Sequence, residues 1–197
     1  MTEKKTEITS KDTSINKDKV PAIFGELAKR GVYGTHLFDI GCGKWTAHIS
    51  RYAKDKGICT YYHGFDKYNR SKKQNEKVSE IAFDEKFNKK GNPNVFISSN
   101  VLNVIKGDDR KRTYLQSIFR MMKDVDECYI TVYEGNRSGC GKITKKDCWQ
   151  ENKKLIDYFE IVKDAYRDTH LFSFMCEMPR HCIDIKYGMI RIYPAYK

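Results

Sequence analysis

The residues best placed to do chemistry begin with Asp39-Ile40-Gly41-Cys42-Gly43, which closes the apolar run Leu37–Ile40 and precedes an amphipathic stretch. Gly41 and Gly43, lacking a Cβ, can take positive φ and let a ligand touch the backbone, while a following helix offers unpaired N–H groups. That combination is a seat for a nucleotide-sized ligand. A dinucleotide fingerprint needs a third glycine at position 46, which is Thr46 here, so the NAD reading weakens. Asp66 lies 23 residues past Gly43, at the carboxyl end of the β-rich run from Ile58 to Phe65. An acid at that place in a βαβ unit accepts hydrogen bonds from both ribose hydroxyls. Tyr68 follows, either beside an adenine or covering the sheet edge.

A second group of residues could meet the reacting partner. Asn100 and Asn103 stand three apart among apolar neighbours, and buried amides need partners, so they bond either backbone or ligand. Glu134 closes the strand-like Tyr129–Tyr133 run. A carboxylate beside a desolvated pocket can accept a proton or orient an amine, and a carboxylate at a strand end can equally pair with a nearby Lys or Arg. Glu134 and Asn103 are therefore the candidate catalytic residues, with Tyr133, Arg137 and Gln150 as substrate contacts. The basic, glycine-containing loop 136–146 reads as a lid or substrate loop, or as a plain solvated one. It is not a phosphate loop, because five residues separate Gly135 from Gly141 and Ile143 stands where a magnesium-binding Ser or Thr belongs.

Strand and helix signals alternate around these groups. Pro21 opens a short helix through Arg30, and Trp45, Ile49, Tyr52 and Ala53 recur at helical spacing with Trp45 as the expected core anchor. Ser71 and Gln74 form a capping box for a helix through Ile81. Val95–Ser98 is a strand; Asp108 and Asp109 start a helix with Leu115, Ile118, Phe119 and Met122 on its buried face. Thr144 and Asp147 are expected to begin a last long helix lined by Cys148, Leu155, Phe159, Val162 and Tyr166. His170–Met178 and Cys182–Tyr193 read as antiparallel strands. No strand can be placed between Phe83 and Pro93. Residues 1–19 read as a disordered arm, and 20–197 as a single domain.

Seven cysteines without a Cys-x-x-Cys pair indicate neither a zinc framework nor a disulfide scaffold, so no metal is expected. No apolar run approaches a membrane span or secretory core, and the cytoplasm is the expected location. The net charge of +11 predicts attraction to polyanions, with nucleic acid as the candidate partner.

Asp39-x-Gly41-x-Gly43 resembles the first motif of class I S-adenosylmethionine (SAM) dependent methyltransferases. The resemblance covers about residues 20–193. It is closest to small methyltransferase-like proteins of phages and mobile elements, on the stretches Asp66–Ser71, Ser99–Ile105 and Val132–Gly135 with Gln150 and Asn152. The strand followed by Asn-x-x-Asn-Val-Ile is also similar to methyltransferase-like proteins found near DNA phosphorothioation genes. It implies an α/β, Rossmann-like doubly wound sheet, mostly parallel with antiparallel C-terminal strands and helices on both faces. It further implies that SAM is the cofactor, with its methionine part at Asp39, Gly41 and Gly43, its ribose at Asp66, and Asn100 beside it at the fourth motif. The Pro-Pro-aromatic signature of amino-methyltransferases of DNA and RNA is missing after Asn100, where Val101-Leu102 stand, and there is no Pro-Cys pair for cytosine-C5 chemistry. The expected function is methyl transfer to an unidentified acceptor. The alternative is a basic nucleic-acid-binding or host-directed interaction protein that keeps the fold without turnover.

Overall fold

The computed structural model describes residues 19–84, 93–145, 148–170 and 181–195. Helix α1 (Ala22–Lys29) leads into strand β1 (Gly34–Ile40), followed by α2 (Thr46–Asp55), β2 (Cys59–Phe65), α3 (Lys72–Phe83) and β3 (Val95–Ser99). After a 3-10 turn at Leu102–Val104 come α4 (Asp108–Phe119), β4 (Glu127–Thr131), β5 (Gly141–Lys145), β6 (Cys148–Glu151), α5 (Phe159–His170), β7 (His181–Lys186) and β8 (Met189–Pro194).

Six strands form one sheet in the order β2-β1-β3-β4-β8-β7. The first four run parallel, and β8 and β7 run antiparallel. Tyr187 and Gly188, both at positive φ, make the tight β7–β8 connection, which matches the twist of paired strands. Chain order reverses between β1 and β3, so the crevice of a doubly wound sheet opens at their carboxyl ends.

Alternation along the strands builds two cores. Leu37, Val95, Ile97 and Tyr129 face α1 and α2 through Phe24, Leu27, Ile49 and Ala53. Phe38, Phe96, Cys128 and Ile130 face the other way, with Val78 and Ala82 of α3, Leu115 and Ile118 of α4, and Val162 of α5. On that second face Phe38 stacks on Phe96 and on His63, at 4.9 and 5.1 Å between ring centroids. His63 shares a 2.9 Å hydrogen bond with His36, and burial pushes its pKa down to about 4.

The capping box at Ser71 and Gln74 is present, and its helix runs on to Phe83. Two expectations are corrected. Trp45 is no core anchor: it precedes the first helical residue with φ −99° and ψ 34° and is 38% exposed, while Ile49 and Ala53 carry the buried stripe. The last long helix does not start at Thr144 or Asp147 either. Strands β5 and β6 pair antiparallel, with Lys142 opposite Gln150 and Ile143 opposite Trp149, and the helix begins at Phe159. The apolar spacing of Cys148 and Leu155 belongs to a strand and a 3-10 turn that both pack inward. Among the described residues β2 is one edge of the sheet and β7 the other. The arm before Lys19, most of the 83–93 segment, Asp147 and the 171–178 run lie outside the described residues.

Gly141 makes the hairpin possible, because a Cβ there would lie 1.9 Å from the Trp149 ring. With Trp45 replaced by Phe, Trp149 is the remaining tryptophan, and Gly141→Ala is expected to push its ring outward and red-shift its emission. An unchanged spectrum would contradict this packing.

Candidate functional site

The turn after β1 is fastened to the end of β2. The N–H groups of Gly41 and Cys42 donate to the Phe65 carbonyl at 2.7 and 3.1 Å, and that of Gly43 donates to Asp66 Oδ2 at 2.9 Å. Gly41 sits at φ +89°, and a Cβ there would come within 2.3 Å of Val101 Cγ2. Only glycine lets the loops after β1 and β3 approach this closely at that backbone angle.

Asp66 is 6% exposed. Its Oδ1 accepts from the N–H groups of Tyr68 and Asn69 at 2.9 and 2.8 Å and from Asn69 Nδ2 at 3.0 Å. A carboxylate offers about four acceptor positions; the Gly43 N–H takes one on Oδ2 and leaves that oxygen a further one. Asn75 of α3 holds the Asp66 backbone from both sides, accepting from its N–H at 3.1 Å and donating to its carbonyl at 2.9 Å. Tyr68 contributes its N–H to this loop, while its ring is 43% exposed beneath the Lys67 ammonium.

Asp39 is buried on β1, where the Tyr62 hydroxyl donates to its Oδ2 at 2.6 Å. Burial pushes its pKa up to about 7, with the Asp66 charge adding to the rise. Burial likewise pushes the Cys42 thiol far up, so it is not a reactive thiolate. Arg70 reaches back to Thr46 Oγ1 at 3.2 Å, and its buried Nε has no partner among the described residues.

The loop after β3 closes the other side. Asn100 takes the left-handed conformation at φ 59° and donates its N–H to the Thr131 carbonyl at 2.9 Å; Asn tolerates that region better than other side chains. Asn103 is buried; its Nδ2 donates to Gln150 Oε1 at 3.1 Å and its Oδ1 accepts from the Tyr133 N–H at 3.5 Å. Gln150 Nε2 donates to the carbonyls of Tyr133, at 3.3 Å, and Glu151. The structure thus brings Asn103, Tyr133 and Gln150 together, and the hairpin docks over the ends of β3 and β4.

Glu134 is held as a clamp. Its Oε1 accepts from the Leu155 N–H at 2.7 Å and its Oε2 from Arg137 Nε at 2.6 Å. The Leu155 bond, aided by Arg137, holds the carboxyl below its usual range. A weakly basic carboxylate with both oxygens engaged fits the ion-pair role. Arg137 accordingly serves this clamp, from a left-handed position at φ 57°.

Other contributors carry no sequence motif. The Tyr114 hydroxyl of α4 donates to the Ile40 carbonyl at 2.9 Å and lies 2.8 Å from Ser98 Oγ, joining the ends of β1 and β3. Lys111, fully buried, donates to Glu151 at 2.8 Å and Asp108 at 3.0 Å, and the Tyr158 hydroxyl donates to Glu151 at 3.0 Å, which fixes the hairpin to α4. A concavity of about 740 Å³ adjoins Phe65 and Lys67 at the end of β2, and its remaining walls are a stripe of α3 from Lys72 to Phe83. Among the described residues no three His, Cys, Asp or Glu side chains cluster as metal ligands, and no helix is long and apolar enough to cross a membrane.

No protein-family model and no curated protein matches the chain. Solved structures share its fold. DesVI of Streptomyces venezuelae aligns with a TM-score of 0.51 and 8% identity over 88% of this chain and 91% of its own. The 1,6-didemethyltoxoflavin-N1-methyltransferase of Burkholderia thailandensis, solved with 1,6-didemethyltoxoflavin and S-adenosylhomocysteine bound, aligns with a TM-score of 0.50 and 12% identity over 88% of this chain and 75% of its own. The sheet is therefore Rossmann-like.

The raised pKa of Asp39 fixes a sign. The folded state keeps this proton to higher pH than the unfolded chain does, so stability falls as pH rises between about 4 and 7. Asp39→Asn keeps an acceptor for Tyr62 and removes the slope. Its thermal midpoint should exceed that of the wild type by more at about pH 8 than at about pH 5. His63 is common to both proteins and cancels; a gap independent of pH would contradict the assignment.

Proposed function

We propose that the chain binds SAM at the switch point between β1 and β3 and transfers its methyl group to an acceptor held between the Asn100–Asn103 loop and Tyr133–Gln150. The observation that carries this reading is the Gly41–Gly43 turn, pressed on Val101 and tied through Gly43 to a buried acid at the end of β2. The side chains suit the cofactor. Asp66 Oδ2 has an acceptor position for a ribose hydroxyl, and the side-chain amide of half-buried Asn100 makes no hydrogen bond among the described residues. Asp39 can meet the positive end of the ligand, at the cost of releasing its proton when the pH is below about 7.

When bound, the cofactor would supply an electrophilic methyl, whose carbon the acceptor's lone pair would bond as the carbon–sulfur electron pair returned to sulfur, leaving a neutral thioether. The protein contributes mainly placement. Asn103 and Gln150 can orient an acceptor but cannot remove its proton, and the Leu155 N–H and Arg137 keep Glu134 weakly basic. The acceptor is then a nucleophile that needs no strong base, such as an amine or ring nitrogen, and loses its proton to solvent after transfer.

Titration calorimetry of the folded protein with SAM and with S-adenosylhomocysteine is expected to show binding of both. Asp66→Ala should weaken each by about 1–3 kcal/mol, the usual loss for a hydrogen bond to a charged acceptor. If the variant fails to fold, Asn100→Ala gives the second reading and should also weaken binding. Absence of binding to the wild type at millimolar ligand would refute the proposal.

A further inference from the structure

The methyl-donor reading explains the carboxylates of the crest and leaves its cations and exposed rings without a task. A sulfonium ligand is itself cationic, so a basic rim does nothing to attract it. Lys106 and Arg110 lie on the approach to and first turn of α4, Lys142 stands on β5 opposite Gln150, and Lys154 follows β6; all four are exposed, and none forms an ion pair among the described residues. The Lys106 ammonium lies 5.0 Å above the Trp149 ring, which places that rim against the hairpin. Buried Lys111 and its partners lock the hairpin in place beneath these charges.

Two apolar side chains break through this rim. Ile143 on β5 is 72% exposed and Tyr133 is 61% exposed. Tyr133 is not a loose surface ring: its N–H is held by Asn103 and its carbonyl by Gln150, the two amides at the proposed acceptor position. An exposed aromatic ring on a held backbone, beside exposed cations, suits a polymer that alternates phosphate with a flat, unstacked base. In a duplex the base would be stacked away from Tyr133 and would have to be flipped out first.

We propose that Tyr133, the β5–β6 hairpin and the start of α4 form a binding surface for single-stranded nucleic acid, with Tyr133 stacking a base beside Asn103 and Gln150. That this base is the methyl acceptor rests on the transferase reading above; the binding surface is measured separately.

The test is fluorescence anisotropy of the full chain with a labelled mixed-sequence DNA single strand, its RNA counterpart and the DNA duplex, alongside calorimetry with S-adenosylhomocysteine. A single strand, DNA or RNA, should bind more tightly than the duplex, and weaken by about tenfold or more between low and moderate salt. The triple variant Lys106→Glu/Arg110→Glu/Lys142→Glu should lose this binding while keeping its cofactor-product affinity, and Tyr133→Ala should weaken the single strand about tenfold and the duplex little. Tighter duplex binding, no binding at low salt, an unaffected triple variant, or equal displacement by polyglutamate would overturn the proposal. Nucleic-acid binding without any S-adenosylhomocysteine binding would instead remove the transferase reading and leave the surface standing.

Discussion

The hydrogen bond from the Gly43 N–H to the Asp66 carboxylate joins the turn after β1 to the end of β2. That contact anchors the crevice edge, because the same carboxylate also orders the 68–69 loop and Asn75 of α3 holds its backbone. The opposite wall approaches through Gly41 and Val101, where a Cβ has no room. Tyr114 completes the frame by reaching from α4 to the Ile40 carbonyl and Ser98. Five elements, β1, β2, α3, β3 and α4, therefore meet along one crevice edge.

The hairpin has a different dependence. It covers the ends of β3 and β4 only because a buried charge network and two amides fasten it there. A buried Lys is tolerable when its hydrogens are taken, and Lys111 meets Asp108 and Glu151. Asn152 adds a bond to the Cys140 carbonyl and packs so near Gly135 that a Cβ there would lie 2.0 Å from its Oδ1. The exposed side of the hairpin is thus carried on a rigid base, which suits recognition better than a freely moving loop does.

How much of this was legible follows from how local each signal is. The glycine turn, the acid after β2 and the capping box at Ser71 are short-range chemistry, and the fold delivers all three where their neighbours in sequence indicate. The apolar spacing from Cys148 to Tyr166 reads as one helix because a strand and two helical turns happen to bury residues at compatible intervals, and Gly141 packing on Trp149 decides otherwise. Glu134, expected to end a strand, lies three residues past the end of β4, and its employment depends on the Leu155 N–H, 21 residues away. Tyr114, Asn75, Arg70 and Lys111 act across the fold, and nothing in their immediate neighbours announces it.

The most direct measurement is a crystal structure of the chain with S-adenosylhomocysteine. The account predicts a ribose hydroxyl on Asp66 Oδ2, the ligand's backbone contacts at Gly41–Gly43, and its sulfur opening toward Tyr133, Asn103 and Gln150. A ligand seated elsewhere, or one whose sulfur faces away from those three residues, would contradict it.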